Sequence, residues 1–314
     1  MTKVFIWVGG GLLLAIIASY LLIPSRIKFS KVIYLNVPEG SAERAFYSSS
    51  ERLKWWPNQA KQRPKSGRDQ GHTFGNYTYV FPPTTYSGSS VGIHEGEQKF
   101  NSSLHFVSFR IDSVGIKWQS ELPATNNPFK RVSNYLGALD IKQNMAQILD
   151  TFKVFLDKPE NLYGLKIVQE KVTDTLLISL RWTSSTYPST ETIYEKIDAL
   201  KSYIVTNKGV DTNHPMLHIF KDKGEYKNMV AIPVNKELPE TGSFILKRMV
   251  AGKILTTVVR GGMRSPASAM NKIEQYIDDH KLTSPAIPFE SLVTNRMLER
   301  DTSMWVTKVY YPIY

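Results

Sequence analysis

The second half of this chain carries one pattern twice, and this repeat restricts the possible fold more than any other feature. A shift of 73 residues places Ile204 on Ile277 and Pro215 on Pro288. After six further residues, the run AIPV at 231–234 matches YYPI at 310–313. Each copy has the hydrophobic pattern of a strand, a helix and two strands. The repeat therefore predicts two β-α-β-β halves whose strands join into one sheet about a pseudo-twofold axis.

The helix of each copy is marked by apolar residues at helical spacing. The first helix is predicted at Thr190–Val205, with Thr190 as its N-cap, and the second at Ser265–Leu282. Two such helices on one side of a shared sheet leave a concave space between them. We expect the ligand position there, because binding sites in proteins are concave and mostly apolar.

An uncharged apolar run of twenty residues lies near the N-terminus, at residues 4–23. A helix of this length can cross the hydrocarbon core of a bilayer. We therefore predict a single-pass transmembrane anchor over residues 1–25 and a membrane-anchored protein. A cleaved signal peptide is the alternative, with a weak cleavage site at Ala15 and Ala18. Sidedness stays open, because the basic residues after the run favour a cytoplasmic bulk whereas a start led by Lys3 favours export.

Residues 26–158 are predicted to form a first domain of strands between a short helix and a long one. A strand at Lys28–Val37 and a short helix at Ser41–Ser50 come first. Four strand-like runs follow, and apolar residues then recur at helical spacing from Val132 to Leu156. This is the element order of a helix-grip fold, in which an antiparallel sheet wraps around a long C-terminal helix.

Two stretches of this first domain resemble the START-related polyketide cyclase/dehydrase group, also called SRPBCC. They are VIYLNVPEGSAERAFYSSSERLKWWP and GIKWQSELP, and the closing long helix follows them. The resemblance implies a deep apolar cavity between the sheet and the helix, which in relatives holds lipids, sterols or polyketides. That family has no common catalytic residue set, so none is transferred. Trp55 and Trp56 either pack the short helix on the sheet, which we favour, or lie at the cavity mouth.

Residues 162–314 resemble the GyrI-like small-molecule-binding domain, which also serves as the effector-binding domain of AraC-type regulators. The matching stretches are MLHIFKDKGEYKNMVAIPV, MVAGKILTTVVRGG and PFESLVTNRMLERDTSMWVTKVYYPI. The resemblance implies a cavity in which aromatic side chains surround one acid and take up hydrophobic, often cationic, molecules. The family's acid corresponds to Glu290. Leu292 stands where the family usually has an aromatic residue, and no DNA-binding motif is recognisable, which puts a role in transcription in doubt.

Glu290 is the candidate binding residue on chemical grounds as well, because it lies in the apolar run Pro288–Val293. A carboxylate among apolar groups needs a partner, or its pKa rises. A bound organic cation facing aromatic rings would be such a partner. The alternative is a half-exposed strand glutamate paired with an arginine or a lysine. The candidate aromatic residues around the ligand are Trp182, Tyr187, Trp305 and Tyr311.

Other chemistries find little support in the residues. The chain has no cysteine, and its six histidines show no metal-ligand spacing. No nucleophile elbow or phosphate-binding loop is present. The net charge of +11 is spread along the chain without a nucleic-acid-binding motif. We therefore predict no cofactor, no metal site and no nucleic-acid partner.

These observations predict an α+β protein that binds or senses a small hydrophobic or cationic ligand in two apolar cavities. We favour a binding protein over an enzyme. One alternative is a hydrolase of reactive small molecules that uses Glu290 as a general base. The other is an interaction protein whose cavities are filled by its own side chains.

Overall fold

A computed structural model of the chain describes residues 2–24, 26–57, 71–81, 89–123 and 125–314. The chain divides into two compact units, Met1–Lys158 and Pro159–Tyr314. Each unit combines α-helices with an antiparallel sheet, so the α+β prediction is confirmed.

The first unit begins with a helix and ends with a long one, and its strands form one antiparallel sheet. Its helices are α1 (Thr2–Leu22), α2 (Glu39–Tyr47), α3 (Ser49–Trp55) and α4 (Pro128–Leu156). Its strands are β1 (Arg26–Leu35), β2 (Gly71–Phe74), β3 (Tyr77–Val80), β4 (Ser89–Glu95), β5 (Gln98–Arg110) and β6 (Ser113–Pro123). The sheet order is β1-β6-β5-β4-β3-β2, so the first strand pairs with the last.

The predicted transmembrane anchor at residues 4–23 is not supported. The segment is helical as α1, but within the residues that the structure describes no helix combines the length and apolar character that crossing a membrane requires. The C-terminal end of α1 is attached to α4 of the same unit. The Arg131 side chain donates to the Ile23 carbonyl oxygen at 3.1 Å and lies over the Tyr20 ring at 5.0 Å.

An aromatic cluster fills much of the space between the sheet and α4. The ring of Phe46 from α2 lies 5.0 Å from Phe152 of α4 and 5.2 Å from Trp55 of α3, and it meets Trp118 of β6 edge-on. All four side chains are buried. Trp55 and its neighbour Trp56 each donate the indole N–H to a backbone carbonyl at 3.0 Å, so both are packing residues here.

One cavity in the described part of this unit is unlike the deep apolar one predicted. It measures about 710 Å³, and most of its lining side chains are polar. They include Ser30, Ser90, Asn101, Ser102, Gln119 and Ser120. The apolar face of α4 is also shorter than its pattern suggested, because Leu136 and Leu139 are exposed while burial runs from Ala138 to Leu156.

The second unit has one sheet of eight strands and two main helices. Its helices are α5 (Pro159–Tyr163), α6 (Thr190–Thr206) and α7 (Arg264–Asp279), with a short 3-10 helix at Thr302–Met304. The first four strands are β7 (Val168–Lys171), β8 (Leu176–Ser184), β9 (Met216–Asp222) and β10 (Glu225–Pro233). The others are β11 (Ile245–Arg248), β12 (Lys253–Arg260), β13 (Phe289–Leu292) and β14 (Val306–Ile313).

The strand order of this sheet reflects the repeat. It runs β11-β8-β10-β9-β13-β14-β12-β7, so strands of the first copy occupy one half and strands of the second copy the other. The order β8-α6-β9-β10 recurs as β12-α7-β13-β14. The two halves meet where β9 pairs antiparallel with β13 through Leu217–Glu290 and Met216–Ser291.

The two faces of this sheet have separate apolar clusters. On one face, a cluster around α6 includes Leu217, and a cluster around α7 includes Val309. On the other face, a cluster of strand residues packs without either helix; it contains Leu177, Met216, Ala231, Ile254 and Phe289. Apolar side chains therefore cover the centre of the sheet on both faces.

Candidate functional site

Glu290 points to the helix-covered face of the sheet, at the junction of the two copies. Its Cα partners are Leu217 on β9 and Val309 on β14. Directly opposed residues of antiparallel strands place their side chains on the same face. Leu217 packs beneath α6 and Val309 beneath α7, so the carboxylate lies between the two apolar clusters.

The charge of Glu290 is met by Arg296, six residues further along the chain. The Arg296 Nη2 atom donates to Glu290 Oε2 at 3.4 Å and to the Thr307 hydroxyl at 2.9 Å. The exposed fraction of the side chain is 3% for Arg296 and 14% for Glu290. Burial raises the pKa of Glu290 above its usual value, and Arg296 opposes this rise only in part.

The guanidinium of Arg296 also lies against an aromatic ring. Its central carbon is 4.9 Å from the centre of the Trp305 ring, within the range of a cation–π contact. The indole N–H of Trp305 donates to the Glu299 carbonyl oxygen at 2.9 Å, which fixes the ring. A carboxylate and an aromatic face therefore enclose one cationic group on two sides.

The loop that carries Arg296 is anchored to α6 by one tyrosine. The hydroxyl of Tyr194 accepts from the Arg296 backbone N–H at 2.8 Å and donates to the Thr294 carbonyl oxygen at 3.1 Å. Burial raises the pKa of Tyr194, so the hydroxyl keeps its proton for this bond. Sequence reasoning missed both Tyr194 and Arg296. A paired arginine was open as the alternative for Glu290, and the short spacing from Glu290 is the signal that could have singled out Arg296.

Tyr187 lies close enough to Glu290 to feel its charge. Its side chain is 41% exposed, and its ring packs edge-on against Tyr226 at 5.7 Å. Burial and the nearby Glu290 carboxylate raise the pKa of Tyr187 to about 12. The structure thus brings three of the predicted residues to one place: Glu290, Trp305 through Arg296, and Tyr187.

Trp182 lies on the same face, one row of residues from Glu290. Its Cα partner is Asn228, whose partner in turn is Ile219 on β9, two residues from Leu217. Among the described residues, the indole nitrogen of Trp182 and the Oδ1 atom of Asn228 are buried without a hydrogen-bond partner. Buried polar atoms are nearly always paired, so these two neighbouring atoms are exceptions on this face of the sheet.

Tyr311 is placed apart from these residues. It faces α7, and its hydroxyl donates to Glu274 Oε1 at 3.1 Å. Burial, together with the charge of Glu274, raises the pKa of Tyr311 to about 12. The Tyr311 hydroxyl is therefore engaged with α7.

Two cavities among the described residues of this unit lie on the face turned away from α6 and α7, whereas we expected one between these helices. They measure about 600 Å³ and 210 Å³ and have His218, Met229 and Ile287 in common. In the part of the chain that the structure describes, no group of three metal-binding side chains converges.

No protein family matches the sequence, and no curated protein is similar to it. Several solved structures resemble part of the chain. The EcmrR C-terminal domain is 16% identical with a TM-score of 0.42, and the similarity covers 48% of this chain and 98% of that one. A hydrolase from Listeria innocua is 10% identical with a TM-score of 0.37, covering 51% of this chain and 98% of that one.

A third similar structure is that of SAV2435 bound to tetraphenylphosphonium. It is 13% identical with a TM-score of 0.31, and the similarity covers 48% of this chain and 94% of that one. At these identities and TM-scores the likeness concerns the fold alone. The SRPBCC-like resemblance of the first unit stays a prediction.

Proposed function

We propose that the second unit is a small-molecule-binding module that takes up a lipophilic organic cation at Glu290, in exchange for the guanidinium of Arg296. The observation that carries the proposal is the position of this guanidinium, 3.4 Å from the Glu290 carboxylate and 4.9 Å from the Trp305 ring. A carboxylate and an aromatic face are the groups that recognise an organic cation in an apolar site. The chain's own cation therefore occupies the position expected for the ligand.

A ligand can compete for Glu290 because its contact with Arg296 is long. Charge-assisted hydrogen bonds between nitrogen and a carboxylate are usually about 2.7–2.9 Å, compared with 3.4 Å here. Burial still raises the pKa of Glu290, so Arg296 offsets only part of the desolvation of the carboxylate. A cation with apolar surface would cover the carboxylate and return the guanidinium to water, where it is solvated.

The surroundings of Glu290 define the other properties of the ligand. The carboxylate lies between clusters of aliphatic side chains, which favours a ligand with a large apolar surface. Tyr187, which is partly exposed and near the Glu290 carboxylate, would border the bound ligand. The unpaired Trp182 N–H and Asn228 Oδ1 would accommodate one polar substituent on the ligand.

Isothermal titration calorimetry with tetraphenylphosphonium, the ligand of the SAV2435 structure, tests this proposal. Four proteins are compared: the unmodified chain, Glu290→Gln, Arg296→Gln and Arg300→Gln. Arg300 is the matched control, because it lies in the same loop but is exposed. Triphenylphosphine oxide serves as the uncharged probe.

The exchange predicts opposite effects for the two members of the pair. Arg296→Gln removes the internal competitor and should bind the cation about tenfold more tightly, whereas Glu290→Gln should bind it about tenfold more weakly. Arg300→Gln should bind like the unmodified chain. Weaker binding by Arg296→Gln, or equal binding of the cation by Glu290→Gln and the unmodified chain, would refute the proposal.

A further inference from the structure

The face of the second unit's sheet that is turned away from α6 and α7 has an apolar depression. Its cavity of about 210 Å³ is lined mainly by apolar side chains. They include Leu177, Met216, Met229, Ala231, Met249 and Phe289. This volume is below the roughly 300–1,000 Å³ of pockets that enclose a whole drug-sized ligand, so it suits one chain or ring of a molecule.

A wider groove continues this depression. It measures about 600 Å³ and has His218, Met229 and Ile287 in common with the smaller cavity, so the two spaces adjoin. Phe220 and Ile287 line the groove and are 49% and 48% exposed. Two large apolar side chains at the mouth would cover the apolar part of a ligand that enters the depression.

Cationic side chains border the same space. Arg181, Met229 and His218 form one row across three strands, so Arg181 lies on this face beside the cavity. Lys247, on β11, lines the smaller cavity. Among the described residues neither Arg181 nor Lys247 forms an ion pair, and the pKa of Lys247 is lowered by burial and by the charge of Arg181.

The other charged groups of this face are largely paired or lie further out. Arg248 pairs with Glu237, and Lys227 with Glu225 at 3.4 Å. Asp222 lines the outer groove. The charge of Glu240 acts on Lys247 and raises its pKa, but less than burial and Arg181 lower it. The Nδ1–H of His218 donates to the Pro288 carbonyl oxygen at 2.7 Å, and burial lowers its pKa, so the ring is neutral at pH 7. Within the described part of the chain, Arg181 and Lys247 are therefore two cations without an ion-pair partner beside the apolar depression.

We propose that this face is a second ligand site, separate from Glu290, for an amphipathic monocarboxylate whose chain enters the apolar depression and whose carboxylate lies between Arg181 and Lys247. Apolar burial supplies the attraction for the chain. The arginine and the lysine supply charge-assisted hydrogen bonds for the headgroup. A cationic amphiphile of the same chain length would meet like charge at the mouth and is excluded.

Calorimetry with octanoate and with octyltrimethylammonium tests the site on the full chain. We expect octanoate to bind, and octyltrimethylammonium to bind at least about tenfold more weakly. Arg181→Gln combined with Lys247→Gln should weaken octanoate binding about tenfold, and so should Ile287→Asp, which places an acid at the mouth. Lys253→Gln, at an exposed lysine of β12, is the matched control and should bind octanoate normally.

Circular dichroism melts of each variant show whether it is folded, and Ile287→Asp is informative because the residue is half-exposed in a loop. Glu290→Gln should bind octanoate like the unmodified chain, and saturating tetraphenylphosphonium should not compete, which separates this site from the one at Glu290. Equal affinity for both amphiphiles, or unchanged octanoate binding in the folded Arg181 and Lys247 double variant, would overturn the proposal.

Discussion

Leu217 and Glu290 occupy equivalent positions in the two copies of the repeat, 73 residues apart, and lie directly opposite each other across β9 and β13. When a residue pairs with its own equivalent, the pseudo-twofold axis passes between the two. The axis of this sheet therefore has leucine on one side and a carboxylate on the other. Glu290 therefore breaks the symmetry at the axis, where each copy contributes one residue of the pair. Arg296 is the residue that compensates its charge.

The first prediction concerns the buried charge of Arg296 when Glu290 is replaced by leucine, the residue at the equivalent position of the other copy. Glu290→Leu makes the axis apolar on both sides but leaves Arg296 buried without its carboxylate. Removing one partner of a buried ion pair typically destabilises by about 3–5 kcal/mol. Urea unfolding followed by circular dichroism should therefore show a loss of this order in the free energy of unfolding.

A double variant separates the buried charge from the shape of the side chain. Glu290→Leu with Arg296→Leu should recover most of the loss, because no charge then remains buried. Arg300→Leu is the control on the same loop and should change stability by less than about 0.5 kcal/mol. A double variant as unstable as the sum of the two single variants would contradict this explanation.

The second prediction is a pH dependence of stability that comes from Glu290. Its pKa is raised in the folded chain, compared with 4.5 for an unperturbed glutamate, so the folded chain binds the proton more tightly than the unfolded chain. Its contribution to stability is fully present below pH 4.5 and is lost as the pH rises through the folded pKa. The unfolding free energy of the unmodified chain minus that of Glu290→Gln should therefore decrease as the pH rises from 4.5 through the folded pKa of Glu290.

Urea unfolding at a series of pH values from 4 to 8 measures this difference. The comparison with Glu290→Gln cancels the contributions of other titrating groups. A difference that grows with pH would mean that Arg296 outweighs burial and lowers the pKa of Glu290 in the folded chain.

The sequence was most informative where packing follows from periodicity. The offset between the copies, read from Ile204, Ile277 and the two prolines, makes Leu217 the equivalent of Glu290, and in the structure these two residues form the central pair of the sheet. Alternation along β14 likewise accounts for Tyr311 lying on the same face as Val309. Both inferences needed only the regular spacing of side chains along strands.

The partners of the site residues could not be predicted in the same way. Arg296 reaches Glu290 because the loop after β13 folds back, and Tyr194 of α6 holds that loop from a hundred residues away in the sequence. Tyr311 engages Glu274 because α7 packs over β14. Such contacts depend on how irregular segments and helices close over the sheet, which hydrophobic periodicity does not encode.

The third prediction concerns the start of α6. Thr190 was expected to be its N-cap, but Ser189 has this role: its hydroxyl accepts from the Thr192 backbone N–H at 3.2 Å, and Thr190 is the first helical residue. Ser189→Ala should therefore lower stability by about 1 kcal/mol in urea unfolding. Thr190→Ala is the matched control and should be nearly neutral, because alanine has the higher helix propensity. If Thr190→Ala destabilised more than Ser189→Ala, Thr190 would be the N-cap instead.

The fourth prediction tests the core of the first unit, where a tryptophan is tied to a serine. The indole N–H of Trp118 donates to the Ser102 hydroxyl at 2.8 Å, and this hydroxyl donates to the Val91 carbonyl oxygen at 2.8 Å. Both side chains are buried. Ser102→Ala leaves a buried indole donor without a partner, which should destabilise by about 1–3 kcal/mol in urea unfolding.

Trp118→Phe removes that donor, so its combination with Ser102→Ala distinguishes the hydrogen bond from general packing. In the Trp118→Phe background, Ser102→Ala should lose clearly less stability than in the unmodified chain, because no indole N–H then lacks an acceptor. Ser90→Ala, at an exposed serine on the neighbouring strand β4, should change stability by less than about 0.5 kcal/mol. If Ser102→Ala lowers stability equally in both backgrounds, the serine stabilises the sheet through Val91 alone, and the bond to Trp118 contributes nothing measurable.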